Sequence, residues 1–567
     1  MADSSSNPPD ENLRNSVVPS SDDEPPPSVA PQSTGTSWWF RRTGVYEALA
    51  PLPAEPPERE ETHVQRVARH LDNAVNHCLK TQEANGSWWV EPDPRMFDTA
   101  LVAYALSRVE VAEAATAVQN AYVWLEGRVA QDHDPVARLL DETPWRLLRG
   151  DPGPIDLRGP TLYSNLYRRK TLLLYTLALH RGVRVLSPYM PPQLKELVRR
   201  FYERFDIIQM KRWSKMDLLG IYSLLEALDG NRRMAVQAAE RLAVMQSADG
   251  SFCHNPVSTA MAFLALSQAM PGSPPYEKCI SYLLRSQRSD GTWRFTTSDN
   301  WDTSLTLRAY GDHPLFAREA APRAYEYILK AQNPDGGWGY RSDIESDNDT
   351  TPCALLALRD REDDDSVHAV DKGVSYLLRH QLEDGLWNTW QSAEDLPVED
   401  CVAHITSALA TFRGTHNRSI RKAQRWLVQR YESYGRWTAG WYRNLPYGVL
   451  DVSKGLRAGH PVAYGAVRSL IALQNVDGGF PPEPGEDSTP SATGLAVAAL
   501  AEHYDVHQPF LRRALDYLMD TQQPDGTWPG KPELYGPRPL VYHLPTNTHA
   551  FAGMGLMAAW RRLGQRE

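Results

Sequence analysis

Seven copies of one short pattern, Gln-x-x-Asp-Gly-x-Trp, run through this chain and restrict what it can fold into. They are Gln82-Asn85-Gly86-Trp88, Gln246-Asp249-Gly250-Phe252, Gln287-Asp290-Gly291-Trp293, Gln332-Asp335-Gly336-Trp338, Gln381-Asp384-Gly385-Trp387, Gln474-Asp477-Gly478-Phe480 and Gln522-Asp525-Gly526-Trp528. From residue 246 onward, successive Gln positions differ by 41, 45, 49, 93 and 48. The interval of 93 is close to two periods, and Gln429 to Trp437 reads as an eroded copy between them. An amphipathic stretch such as Ala369 to His380 precedes each copy, and a small-residue apolar stretch such as Ser258 to Leu266 follows it. Apolar positions recur near every 3.6 residues, so both flanks are helical. Asp-Gly supplies the turn that ends the first helix, and Thr, Ser or Asp caps the second. Such a helix pair cannot bury its apolar face alone, so the pairs must stack. Closing the stack into a ring gives an all-α fold of α/α toroids. In most copies the Gln and Trp then serve to tie neighbouring repeats together.

A chain of 567 residues is long enough for more than one domain. Its net charge of −10 leaves no excess of Lys and Arg to neutralise phosphates, which argues against nucleic acid as a partner. Five cysteines, an odd number without metal-ligand spacing, read as reduced thiols. No basic segment followed by an apolar run opens the chain, and no apolar run of about 18 residues occurs. The expectation is a cytoplasmic protein without a transmembrane segment, its oligomeric state open. Residues 1–36, rich in Ser, Pro and acidic side chains, are expected to be disordered.

The repeats, together with the acidic run Ser346-Asp347-Asn348-Asp349-Thr350-Thr351 before one apolar helix, resemble the squalene-hopene and diterpene cyclase superfamily. The resemblance covers nearly everything after about residue 60. It implies two toroids, γ and β, with the reaction cavity between them: γ over 60–295, and β over 37–59 and 296–567. The segments His133 to Arg138, Arg169 to Tyr175 and Met210 to Lys215 look closer to bacterial class II cyclases of prenyl diphosphates.

Such enzymes start by protonating an unactivated alkene, which needs a strong acid facing a dry, electron-rich cavity. In the family pattern Asp-x-Asp-Asp-Thr the middle Asp is the acid. By resemblance that role falls to Asp349, with Asp347 in support, while the third acid is replaced by Thr350. An ionised Asp347 about 4 Å away would disfavour a second charge by about 4 kcal/mol at an effective dielectric constant near 20. The next helix is expected to begin near Thr351-Pro352, and its positive end would stabilise the carboxylate left behind. The resulting cation calls for aromatic faces. Candidates are Trp301, Trp338, Tyr340, Trp390, Trp441, Tyr442 and Tyr542, of which Trp338 also belongs to a repeat motif.

The resemblance further implies a prenyl diphosphate substrate with Mg²⁺. Lys211 and Lys215 stand where a diphosphate-contacting Lys occurs, Arg169 and Lys170 are weaker candidates, and Asp141-Glu142 is the nearest match to the family's acidic metal site. The ionisation signature Asp-Asp-x-x-Asp is missing, and Glu362 to Asp365 reads as an exposed turn. The diphosphate is therefore expected to survive. The Asp-x-Asp-Thr-Thr variant resembles enzymes that cyclise farnesyl diphosphate to a drimane-type diphosphate such as drimenyl diphosphate. The alternative is geranylgeranyl diphosphate giving a labdane or copalyl-type product. Two readings of another class are a protein prenyltransferase-like zinc toroid built on Asp400, Cys401 and His404, and a non-catalytic toroid.

Overall fold

The computed structural model describes residues 61–564, apart from 131, 133, 152, 165, 205–209, 389–395, 415–416, 457–458 and 537. The segments 1–36 and 37–59, and Trp390, lie outside the described residues. The described residues fold as one unit, Glu61–Glu567. They form 22 α-helices, two short 3-10 turns and two two-stranded ribbons. No described helix is long and apolar enough to cross a membrane.

Two closed rings of helices account for most of the chain. In the first, five helices pack pairwise in a circle: Met96–Leu106, Pro135–Arg149, Arg168–Arg181, Arg212–Leu228 and Pro256–Ala269. In the second, the circle has six: Asp299–Tyr310, Thr350–Ala357, Glu399–Arg413, Leu445–Gly455, Pro490–Ala501 and Pro545–Gly564. Several inner helices, such as Pro490–Ala501, are buried at every residue and consist largely of Ala, Ser, Gly and Leu. Small side chains let inner helices approach closely. Amphipathic outer helices such as Asp364–Arg379 cover them with one apolar face.

The motif performs the same hydrogen bonding wherever it occurs. Gln332 Nε2 donates to its own Gly336 carbonyl and to the Ala369 carbonyl of the next outer helix, both at 2.8 Å. The other six glutamines make the equivalent pair of bonds. The Trp338 indole donates to the carbonyl of Ile328 at 2.8 Å, and Trp338 is fully buried. Gly336 has φ of +90°, and a Cβ there would stand 2.8 Å from the Lys372 carbonyl oxygen, so only glycine fits. In the eroded copy Trp437 keeps its indole bond, to the Leu427 carbonyl at 2.7 Å.

The first motif copy does not join the first ring. Gln82 bonds to the Ala320 carbonyl, and the Trp88 amide donates to Thr303 Oγ1 at 3.0 Å. The helix His63–Thr81 before it packs on Pro545–Gly564 and Pro509–Thr521 and shares their core. It is the outer helix that closes the second ring. The expected first-ring boundary at residue 60 therefore moves past this helix, because its Val67, Leu71, Ala74 and Val75 find their apolar partners in the C-terminal half.

Candidate active site

Asp349 is the residue immediately before the inner helix Thr350–Ala357, which begins one residue earlier than Thr351-Pro352. Asp347 explains the start. Its carboxylate accepts the backbone N–H groups of Asp349 (2.9 Å) and Thr350, and the Thr350 hydroxyl donates to its second oxygen at 3.0 Å. Asp347 thus anchors the backbone at the helix start, and Thr350, standing where the family pattern has a third acid, locks that anchor. Burial pushes the Asp347 carboxyl up to about 6, with the adjacent Asp349 adding to the rise; the two amides and Lys211 pull the other way. With those bonds committed to backbone, Asp347 is the fixed partner, and Asp349 is the group whose side chain remains available.

Asp349 is 8% exposed, and what it faces is a cavity of about 150 Å³ at the meeting of the two rings. That is roughly ten times the space one water molecule needs, so the hollow suits an organic ligand. Its lining is aromatic: Trp213, Phe295, Trp301, Tyr340, Trp441, Tyr442 and Tyr535 all contribute. The first ring supplies Trp213 and Asp217, and the second supplies Asp349, Trp301 and Tyr442.

Behind Asp349 stands a histidine that is fully enclosed. His404 Nδ1 lies 2.9 Å from Asp349 Oδ1, and its Nε2 lies 2.9 Å from Asp451 Oδ2. Burial alone would lower the pKa of this imidazole. The charge of Asp451 and the hydrogen bonds to Asp349 and Asp451 outweigh that effect and raise it to about 9. His404 is therefore an imidazolium at neutral pH, with Nδ1–H donating to Asp349 and Nε2 in ion-pair contact with Asp451. One oxygen of Asp349 is held from behind by a cation, leaving the other for the cavity. The imidazolium and the helix start both place positive charge beside the Asp349 side chain. Asp400, one turn before His404, is also buried; burial and the nearby Asp349 push its carboxyl up, against the amides of Gly440 and Trp441. It accepts the Trp441 amide at 3.0 Å and so holds one wall of the cavity.

The expected cation-facing residues divide. Trp301 and Tyr340 line the cavity, as do Trp441 and Tyr442. The Trp301 indole donates to the Tyr442 hydroxyl at 3.0 Å, fixing two walls to each other. Trp338 does not line it: its ring lies in the core, held by the repeat bond, because the motif geometry turns the indole outward toward the next helix pair. Tyr542 is also buried away from the lining, donating to Asp98 Oδ1 at 2.9 Å and stacked on the cavity residue Phe295 at 4.6 Å.

Lys211 stands at the residue before the helix Arg212–Leu228 and donates to the Ser346 carbonyl, which ties it to the Asp347–Asp349 loop instead of leaving it in the cavity. Lys215, one turn on, is half-buried and does not line the cavity. Arg169 stacks over Trp213 at 4.8 Å. Asp141 and Glu142 do not converge on a metal. Both Asp141 oxygens bond the Arg95 guanidinium, at 3.1 and 2.8 Å, and one also accepts the Phe97 amide, while Glu142 is exposed. A Mg²⁺ ion there would have to displace a guanidinium, so these two residues do not fit that role. No group of three metal-ligating side chains converges among the described residues. The zinc-like trio also separates: His404 turns to Asp349 and Asp451, whereas Cys401 Sγ accepts the Trp441 indole at 3.2 Å.

Sequence reading missed His404 as the partner of the acid, Asp451 behind it, and Trp213 and Asp217 from the first ring. Asp451 and Asp217 carry no local motif. The only available hint for His404 was its place on an apolar inner-helix pattern, where a charged side chain needs a reason.

Comparison with known proteins agrees with this geometry. The family described as "Squalene-hopene cyclase C-terminal domain" matches residues 253–394 and 389–557, more than half of the chain. A drimenyl diphosphate synthase of Streptomyces showdoensis is 28% identical over 373 residues, covering 63% of this chain and 69% of that protein. The squalene–hopene cyclase of Alicyclobacillus acidocaldarius is 25% identical over 551 residues, covering 82% of this chain and 85% of its own. Among solved structures, ent-copalyl diphosphate synthase from Streptomyces platensis superposes with a TM-score of 0.51 at 20% identity, covering 88% of this chain and 98% of that one, and so shares the fold. The chain belongs to the squalene-hopene cyclase C-terminal domain family and is a class II terpene cyclase.

Proposed function

We propose that the chain cyclises farnesyl diphosphate to a drimane-type bicyclic diphosphate, with Asp349 as the proton donor and the diphosphate retained. The observation that carries the acid assignment is the placement of Asp349: one oxygen bonded to His404, the side chain bordering an aromatic cavity. The choice of substrate is supported by two drimenyl diphosphate synthases among the relatives, 28% and 32% identical over part of the chain. In this reading Asp349 protonates the terminal alkene, the rings close against Trp301 and Tyr442, and the resulting cation loses a proton. Trp301, Trp441 and Tyr442 stabilise positive charge through their ring faces. Arg169 and Lys170 on the helix Arg168–Arg181, with Lys215 on the neighbouring cavity helix Arg212–Leu228, supply positive charge for the diphosphate.

Purified protein given farnesyl diphosphate, geranylgeranyl diphosphate or squalene, followed by dephosphorylation and mass spectrometry, tests the reading. The expected product is a bicyclic C15 alcohol from farnesyl diphosphate. A bicyclic C20 alcohol formed in preference would move the assignment to a labdane or copalyl-type reaction. Asp349→Asn is expected to lower turnover at least about 10³-fold, with an unchanged circular dichroism spectrum. Undiminished turnover in that variant rules Asp349 out as the acid.

A further inference from the structure

The reaction needs a group that takes a proton as well as one that gives it. Three titratable residue types line the cavity: the carboxyls of Asp217, Asp347 and Asp349, phenols such as Tyr340 and Tyr442, and the thiol of Cys253. Asp349 is the donor. Asp347 is filled by two backbone amides and the Thr350 hydroxyl. Tyr442 is excluded by its hydrogen bonds, since both Trp301 Nε1 (3.0 Å) and Asn547 Nδ2 (2.9 Å) donate to its oxygen and fill its lone pairs. Neutral phenols and thiols are in any case far weaker proton acceptors than a carboxylate, and burial keeps Tyr340 and Cys253 in those neutral forms.

Asp217 remains. It stands on the first-ring helix Arg212–Leu228, one turn after Trp213, so both point to the cavity from the same helix face. The acid Asp349 enters from the second ring. The two carboxyls therefore reach one hollow from different walls. That arrangement suits the reaction: the proton arrives at the terminal alkene, and the cation ends up toward the other end of the folded chain. Asp217 also lies among positive groups. Burial raises its carboxyl to about 6, while Arg169, Lys170 and a hydrogen bond from the Ser258 hydroxyl pull it back. Those cations are also the ones assigned above to the diphosphate end.

We propose that Asp217 is the catalytic base that ends the reaction, taking the last proton from the cyclised cation. The C–H bond next to the cationic carbon breaks, its electron pair becomes the alkene π bond, and the proton goes to an Asp217 carboxylate oxygen. One proton leaves Asp349 and one arrives at Asp217, so no other reactant is consumed. Both groups exchange with solvent when product departs. This inference rests on Asp349 being the donor.

The test compares wild type, Asp217→Asn and Asp217→Glu in D₂O, using whichever of farnesyl diphosphate, geranylgeranyl diphosphate and squalene the wild type converts. Loss of the base leaves the first protonation possible. Asp217→Asn is therefore expected to incorporate deuterium at the protonated carbon still, with turnover lowered about 10²-fold. Its products should shift from one main alkene to isomeric alkenes and water-captured alcohols. Asp217→Glu, which keeps a carboxylate, is expected to restore the main alkene as the largest product. An Asp217→Asn product mixture identical to wild type would overturn the proposal, because the diphosphate or a water would then be the acceptor. Loss of deuterium incorporation would overturn it too, by placing Asp217 in the first step. Failure of the donor assignment is read separately, from turnover by Asp349→Asn.

Discussion

His404 connects the acid to the rest of the protein through charge. Its imidazole sits at about 9 in the folded chain and near 6.5 when unfolded, so folding is favoured by its protonation. That stabilisation is fully present below about pH 6.5 and drains away as pH rises through about 9. The shift corresponds to a contribution of the order of 3 kcal/mol. Wild type is expected to lose thermal stability between pH 6.5 and 9 more steeply than His404→Gln, as measured by melting temperature across that range. In the same variant turnover should fall about 10²-fold, since Asp349 loses the cation behind it. Asp347 and Asp349 were legible in the sequence because they share one short run with the helix they precede. His404 was not, because it stands 55 positions away and meets Asp349 only after two inner helices pack. Neighbours in sequence even suggested a different partnership for it, with Asp400 and Cys401, whose side chains the helix directs elsewhere.

Each turn between outer and inner helix is a small device whose parts depend on each other. Glycine permits the +90° φ at position 336 and the close approach to Lys372. Gln332 then bonds across to Ala369, and Trp338 fills the space behind. Gly336→Ala is expected to destabilise by about 1 to 3 kcal/mol. Gln332→Ala should cost about 1 to 3 kcal/mol, because it leaves a buried carbonyl without its donor. Urea titration followed by circular dichroism measures both; no change in midpoint would show that the repeats do not depend on these turns. The helix pairs and their turns were legible because the pattern recurs with the same chemistry seven times. The start of Thr350–Ala357 was misplaced by one residue: Pro352 suggested a first helical position, whereas the side chain of Asp347 captures the Thr350 amide first. Trp338 shows the limit from the other side. Its type suits a cation-facing wall, but a residue in the turn motif is directed into the core.

Across the whole molecule, ring membership does not follow chain order. His63–Thr81 belongs to the second ring, while the five inner helices of the first ring all follow it in sequence. A helical period shows that the segment pairs with something; it does not say with which partner, because any apolar outer-helix face resembles another. Deleting residues 61–81 is expected to expose the apolar sides of Pro509–Thr521 and Pro545–Gly564 and to leave the protein largely insoluble. Sedimentation of the deleted chain against the intact one would measure this, and equal solubility would show that the outer circle tolerates a gap.

The first ring is in effect an insertion, spliced between the opening helix of the second ring and everything that helix must eventually touch. On the ribosome the inserted ring has all five of its inner helices in hand once Pro256–Ala269 has emerged. The opening helix must wait, apolar face uncovered, until Pro509–Thr521 and Pro545–Gly564 emerge. The cavity also takes part of its wall from Leu534, Tyr535 and Leu544, so a nascent chain that stops short of them holds an unfinished chamber.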